Sequence, residues 1–136
     1  MYKKDLFKIA VDAMTYSYAP YSNYNVGAVL FTKNGNLYKG CNIENASYSA
    51  TNCAERTALF SAIANGEKEF AAICIVGGKN GKITDYAMPC GICRQALAEF
   101  CDADFKVYVG ISEDDIKEFT LGELLPYSFD KSKLGE

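Results

Sequence analysis

A chain with no histidine that sets Cys53 and Glu55 at one predicted helix start, and Cys90 and Cys93 behind Pro89 at another, has few uses for those groups. Any transition-metal site must be built from thiolates and carboxylates, and a histidine general base is ruled out. Side chains in a first helical turn lean toward the helix N-terminus, where the macrodipole favours thiolates. Two such turns placed side by side would aim three sulfurs at one point. Three protein ligands are one short of the four that zinc prefers, which is the mark of a catalytic rather than a closed structural site. The remaining position can hold a water whose pKa the metal lowers, for attack on an electrophilic ring carbon. A carboxylate two residues from a ligand, as Glu55 is, could then carry that water's protons.

The rest of the sequence supplies a frame for those two turns. Leu6, Ile9, Ala10, Ala13, Met14 and Ser17 recur at helical spacing, predicting an amphipathic helix that ends near Ala19-Pro20. Strand formers at 26–31, an Asn34-Gly35 turn and Leu37 to Cys41 predict a hairpin. Asn52 is expected to cap a helix carrying Ala54, Ala58, Leu59 and Ala62 and stopped by Asn65-Gly66. The continuous apolar run Ala71 to Val76 predicts a buried central strand, with a surface loop from Gly77-Gly78 to Asp85. Pro89 is expected to open a helix through Phe100, followed by a strand at 105–110, a short edge at Glu118-Phe119-Thr120 and one helical turn at 121–125. Hairpin, helix, strand, helix, strand is an α/β pattern. It predicts a three-layer α-β-α sandwich on a mixed, roughly five-stranded sheet, with residues 1–136 forming one domain.

Charge and apolar patterning narrow the function classes. A net charge of -3 with scattered lysines offers no basic stripe for a polynucleotide, so a small uncharged substrate is expected and a nucleic-acid partner is not. The run Met1 to Leu6 leads into charge-interrupted sequence without an apolar core of signal-peptide length, and no segment approaches a membrane span. The expectation is a cytoplasmic protein with no membrane partner. Its six cysteines are then read as thiols rather than disulfides, with Cys41, Cys74 and Cys101 in or beside apolar runs as small core residues.

Cys53-Ala54-Glu55 followed by Pro89-Cys90-Gly91-Ile92-Cys93 resembles the signature of the cytidine deaminase family, in its small, homotetrameric, all-cysteine form. The resemblance extends from Tyr18-Ala19-Pro20-Tyr21-Ser22 through Gly40 to Asn45 and on to Leu124-Leu125-Pro126. It implies one zinc ion per chain on Cys53, Cys90 and Cys93, and Glu55 as a proton shuttle rather than a ligand. The implied reaction is deamination of cytidine and 2′-deoxycytidine. By the same resemblance Asn42 and Glu44 hydrogen-bond the ribose hydroxyls and Tyr24 packs on the base, where similar proteins usually carry Phe. Phe129 matches an aromatic that reaches a neighbouring subunit's site in a homotetramer. Arg56 matches an arginine that hydrogen-bonds the zinc-bound sulfurs, which would drain charge from a trithiolate site.

Simpler readings stand beside these. Cys90-x-x-Cys93 alone could be a redox pair, and a fourth cysteine would make the cluster a structural zinc site. Glu55 could be a solvated first-turn carboxylate, Asn42 and Glu44 could brace a loop, and Tyr24 and Phe129 could simply pack. The alternative functions are deamination of another aminated heterocycle and a non-catalytic zinc or redox module.

Overall fold

The computed structural model describes residues 1–135. Helix α1 (Lys3–Met14) precedes a hairpin of β1 (Tyr24–Thr32) and β2 (Leu37–Cys41). Helix α2 (Ala54–Ala64), β3 (Phe70–Lys79), α3 (Gly91–Phe100), β4 (Lys106–Ser112), β5 (Asp115–Thr120) and the single turn α4 (Leu121–Leu124) follow. The strands form one mixed sheet in the order β2-β1-β3-β4-β5. β1 runs antiparallel to both its neighbours, β3 and β4 are parallel, and β4 and β5 are antiparallel. The parallel pair is the one bridged by a helical crossover, α3, as the topology of such connections requires.

Period-two alternation sends successive strand residues to opposite faces. Ala28, Leu30, Ile73, Ile75, Val107 and Val109 meet Ala54, Ala58, Leu59 and Ala62 of α2 and Leu97 of α3. On the other face Val29, Ala72, Cys74 and Val76 meet Leu6, Phe7, Ala10 and Met14 of α1. The result is the expected three-layer sandwich. β3 is covered on both sides, which is why its sequence is continuously apolar rather than alternating. Each fully buried Leu, Ile or Val here contributes about 1.5–3 kcal/mol over its exposed state.

Two glycines let the helices close on the sheet. A Cβ on Gly27 would lie 2.2 Å from the Ala10 carbonyl oxygen, and one on Gly40 would lie 2.3 Å from that of Ala54. The second contact seats the first turn of α2, with Cys53 and Glu55, directly on the hairpin.

The structure departs from the sequence expectations at five places. α1 ends at Met14 because Tyr18 leaves the helix to pair with the strand beyond Cys41: its N–H donates to Asn42 O at 3.0 Å and its carbonyl accepts from Glu44 N at 2.8 Å. Asn52 does not cap α2. Its backbone exchanges both hydrogen bonds with Ile43, at 2.9 and 3.0 Å, and Cys53 takes the cap position. Pro89 likewise lies one residue before the cap of α3, which is Cys90. Gly77 and Gly78 belong to β3, paired with Val26 and Asn25, and the partner strand overrides their local turn preference. The predicted edge at 118–120 is the second half of the six-residue β5.

Candidate active site

The sulfurs of Cys53, Cys90 and Cys93 all lie within 4.8 Å of one another, and those of Cys53 and Cys90 are 3.8 Å apart. Tetrahedral zinc with bonds of about 2.3 Å to sulfur sets its ligand sulfurs about 3.8 Å from each other. The donor set therefore fits zinc. Cys53 and Cys90 are the cap residues of α2 and α3, and Cys93 is the third residue of α3, so both helix N-termini point at the cluster. Cys93 is fully buried, Cys53 half-buried and Cys90 exposed. Among the described residues this is the one grouping of three potential metal ligands, and neither Cys41, Cys74, Cys101 nor the Glu55 carboxylate belongs to it. Three sulfur donors are one short of the four that zinc prefers.

The electrostatics are those of a site prepared for a cation. Hydrogen bonding from Cys93, then from Arg56 and Cys90, pulls the Cys53 thiol down to about 5. The same bond, with burial, pushes Cys93 well above the ordinary thiol range. Hydrogen bonding between the two sulfurs thus lowers one thiol and raises the other. Arg56 donates from Nη2 to Cys53 Sγ at 3.4 Å, and its Nε is buried with no hydrogen-bond partner. That leaves the guanidinium committed to the sulfurs and to little else.

Glu55, the second residue of α2, is 4% exposed. Burial, reinforced by charge on Cys53, raises its carboxyl to about 7. It can therefore hold or release a proton near neutral pH, which an ordinary surface glutamate cannot. The solvated-carboxylate reading of Glu55 does not survive this burial.

Cys53, Glu55 and Cys90 open on a cavity of about 330 Å³ that is also lined by Tyr24, Val26, Asn42, Glu44, Ile75 and Met88. Asn42 is 9% exposed and knits the cavity wall: Nδ2 donates to Tyr24 O at 2.7 Å, and Oδ1 accepts from Val26 N at 3.0 Å and from the Ser17 hydroxyl. One Nδ2 hydrogen remains for a ligand. Glu44 accepts from the backbone N–H groups of Tyr21 and Ser22 at 3.0 and 3.1 Å and from the Ser22 hydroxyl. The Ser22 hydroxyl and these N–H groups hold the Glu44 carboxyl below its usual value, so it faces the cavity ionised.

Tyr24 opens β1 on the cavity rim and is 39% exposed. Phe129 is not part of this lining; it is 63% exposed, and its carbonyl accepts from Gln95 Nε2 at 2.8 Å. Seven of the nine residues singled out from sequence thus line one cavity or its sulfur cluster, Arg56 touches that cluster, and Phe129 stands apart. Sequence reasoning assigned no role to Ser22, Thr51, Tyr86 or Met88, which also line the cavity. Ser22 sits in the Tyr18–Ser22 stretch that carries the resemblance, but nothing local pairs it with Glu44.

A family model described as the cytidine and deoxycytidylate deaminase zinc-binding region matches residues 1–110. The chain is 48% identical over 129 residues to the cytidine deaminase of Halalkalibacterium halodurans, covering 95% of each. It is 47% identical over 118 residues to that of Sporosarcina psychrophila, covering 87% of this chain and 84% of the relative. A crystal structure of cytidine deaminase from Burkholderia pseudomallei matches with a TM-score of 0.87 at 44% identity, over 95% of this chain and 100% of that one. A match of that extent, on a chain whose three thiols already have the spacing of a zinc site, makes this protein a member of the cytidine and deoxycytidylate deaminase zinc-binding family.

Proposed function

We propose that this protein hydrolytically deaminates cytidine and 2′-deoxycytidine to uridine and 2′-deoxyuridine, releasing ammonia and using one zinc ion per chain. The observation that carries this reading is the buried Glu55 carboxyl, raised to about 7, on the same cavity as the three-thiol cluster. A purely structural zinc site has no use for such a proton carrier, and a two-thiol redox pair has no use for the third sulfur of the cluster.

Cys53, Cys90 and Cys93 would hold the zinc. When bound, the ion supplies the Lewis acidity that makes a water nucleophilic near neutral pH. Glu55 takes a proton from the attacking water as its oxygen bonds to C4 of the base, and delivers that proton to ring N3. It then moves the second proton to the amine, so that the C4–N bond breaks and ammonia leaves as the C4 carbonyl forms. Arg56 bonds the sulfurs and withdraws charge from a ligand set that three thiolates would otherwise make strongly negative.

Asn42 and Glu44 would bind the ribose hydroxyls, the first through its spare amide hydrogen and the second as an ionised acceptor, while the Tyr24 ring packs against the base. Phe129, exposed on its own subunit, is assigned to a neighbour's site in a homotetramer. Residues 1–136 would form one catalytic domain serving pyrimidine salvage in the cytoplasm. Among the described residues no helix is long and apolar enough to cross a membrane.

The test is the loss of cytidine absorbance on adding purified protein, with zinc measured on the same preparation and a chelator-treated sample beside it. Conversion with one zinc per chain supports the reading; bound zinc without conversion redirects it to another aminated heterocycle, and a zinc-free protein overturns it.

A further inference from the structure

Arg94 follows Cys93 directly in α3, yet its side chain hydrogen-bonds backbone carbonyls rather than the sulfurs. Its Nε donates to the Pro89 carbonyl at 2.8 Å and its Nη1 donates to the Leu124 carbonyl at 2.7 Å. Pro89 is less than 2% exposed, so water cannot serve that carbonyl in place of the guanidinium. The stretch 85–89 that delivers Cys90 to the cluster has no regular secondary structure, so no ladder or helix fixes its position.

The other end of the bridge is a fixed point. Leu124 is the last residue of α4, whose cap is closed by reciprocal Thr120–Glu123 bonds. That turn is tied back by Leu121 N to Phe105 O at 2.9 Å and Gly122 N to Ala103 O at 2.8 Å, with the Leu121 side chain buried in the core. The carbonyl end of a helical turn is also where a guanidinium is favoured. Next to Arg94, Gln95 holds the Phe129 carbonyl at 2.8 Å, so two successive α3 residues grip the C-terminal stretch.

We propose that Arg94 is a positioning residue for the metal site, bracing Pro89-Cys90 against the α4 turn so that Cys90 is held at ligand distance from Cys53 and Cys93. The inference rests on the zinc reading above. It differs from the role of Arg56, which touches sulfur; Arg94 acts on where one sulfur stands. Without it the Pro89 carbonyl is a buried acceptor with no donor, and the cheapest relief is displacement of the irregular 85–89 stretch, which carries Cys90 with it. Lysine keeps the charge but has a single ammonium in place of the fork, and so cannot span both carbonyls in the same way.

The experiment is zinc release from the holoenzyme into a colorimetric chelator, for wild type, Arg94→Gln and Arg94→Lys, with thermal unfolding of each metal-free protein measured alongside. The expected result is release faster by about 10- to 100-fold in Arg94→Gln, the usual cost of losing an outer support of a metal ligand, and an intermediate rate in Arg94→Lys. The metal-free proteins should unfold closer together than the zinc-loaded ones. Wild-type release rates in either variant, or an equal loss of thermal stability with and without zinc, would overturn the proposal while leaving the deaminase reading intact. A wild type that binds no zinc overturns both. Should Arg94→Gln fail to fold, the Arg94→Lys rate alone decides.

Discussion

The sulfurs of Cys53 and Cys90 stand 3.8 Å apart although 37 residues separate them in the chain. Each is the cap residue of its helix, so the distance is set by how α2 and α3 seat on one face of the sheet.

Among the described residues Arg56 is the one cation bonded to the cluster sulfurs, and its Nε has no partner there. Arg56→Ala should keep the fold and lose either zinc or turnover, with metal affinity down by about 10- to 100-fold. Metal analysis and steady-state kinetics on one preparation check this. Full zinc with unchanged turnover would remove Arg56 from the site's electrostatics.

Glu55 lies outside the grouping of potential metal ligands and is buried beside it. Glu55→Gln should therefore retain one zinc per chain while kcat falls by about 10²- to 10⁴-fold, the range for loss of a general acid–base. Loss of zinc in this variant would make Glu55 a ligand instead.

Burial raises the Glu55 carboxyl from 4.5 to about 7, so the folded state favours its protonated form. That contribution is fully present below the ordinary value and is lost as the pH rises through the folded one. Metal-free Glu55→Gln should be more stable than metal-free wild type by up to about 3 kcal/mol at pH 8, with the gap closing toward pH 4. Urea midpoints across this range provide the measurement, and a pH-independent gap would contradict the burial argument.

The six thiols should separate by reactivity. Burial pushes Cys74 and Cys101 up to about 12, while Cys90 is exposed. At pH 8 a thiol of that kind is ionised to roughly one part in 10⁴, so alkylation of the native protein should spare Cys74 and Cys101 and modify Cys90, and zinc should protect Cys90. Mass mapping with and without metal reads both effects. Rapid labelling of Cys74 in folded protein would mean the core between α1 and the sheet opens.

Gly40→Ala would set a Cβ 2.3 Å from the Ala54 carbonyl and 2.5 Å from Ala58 N, both backbone atoms that cannot move alone. The whole first turn of α2 must shift, at a cost of about 1–3 kcal/mol. Because that turn carries Cys53 and Glu55, zinc affinity should fall along with the melting temperature. A variant that loses stability but binds zinc as before would show the turn to be more compliant than its packing indicates.

The elements could be read from the chain because their signals are local. The apolar spacing of Leu6 to Met14, the Asn34-Gly35 turn with Gly35 at φ +93°, the stop at Asn65-Gly66 and the unbroken apolar run of β3 each depend on residues adjacent in sequence. The joints were misread where a distant partner prevails. Gly77 and Gly78 read as a loop until Val26 and Asn25 pair with them, and Asn52 reads as a cap until Ile43 takes its backbone.

By itself the sequence narrowed the ligand chemistry to thiolates and carboxylates, since it has no histidine, and set Cys53, Glu55, Cys90 and Cys93 at two predicted helix starts. It also determined the mixed α/β architecture, through periodicities that hydrophobic burial enforces residue by residue. The tertiary structure alone decided that the three sulfurs meet, that Glu55 is buried deeply enough to titrate near neutrality, and that Ser22 bonds the Glu44 carboxylate and Arg94 the Pro89 carbonyl. Distance and desolvation are properties of the packed fold, and no local stretch of chain encodes them.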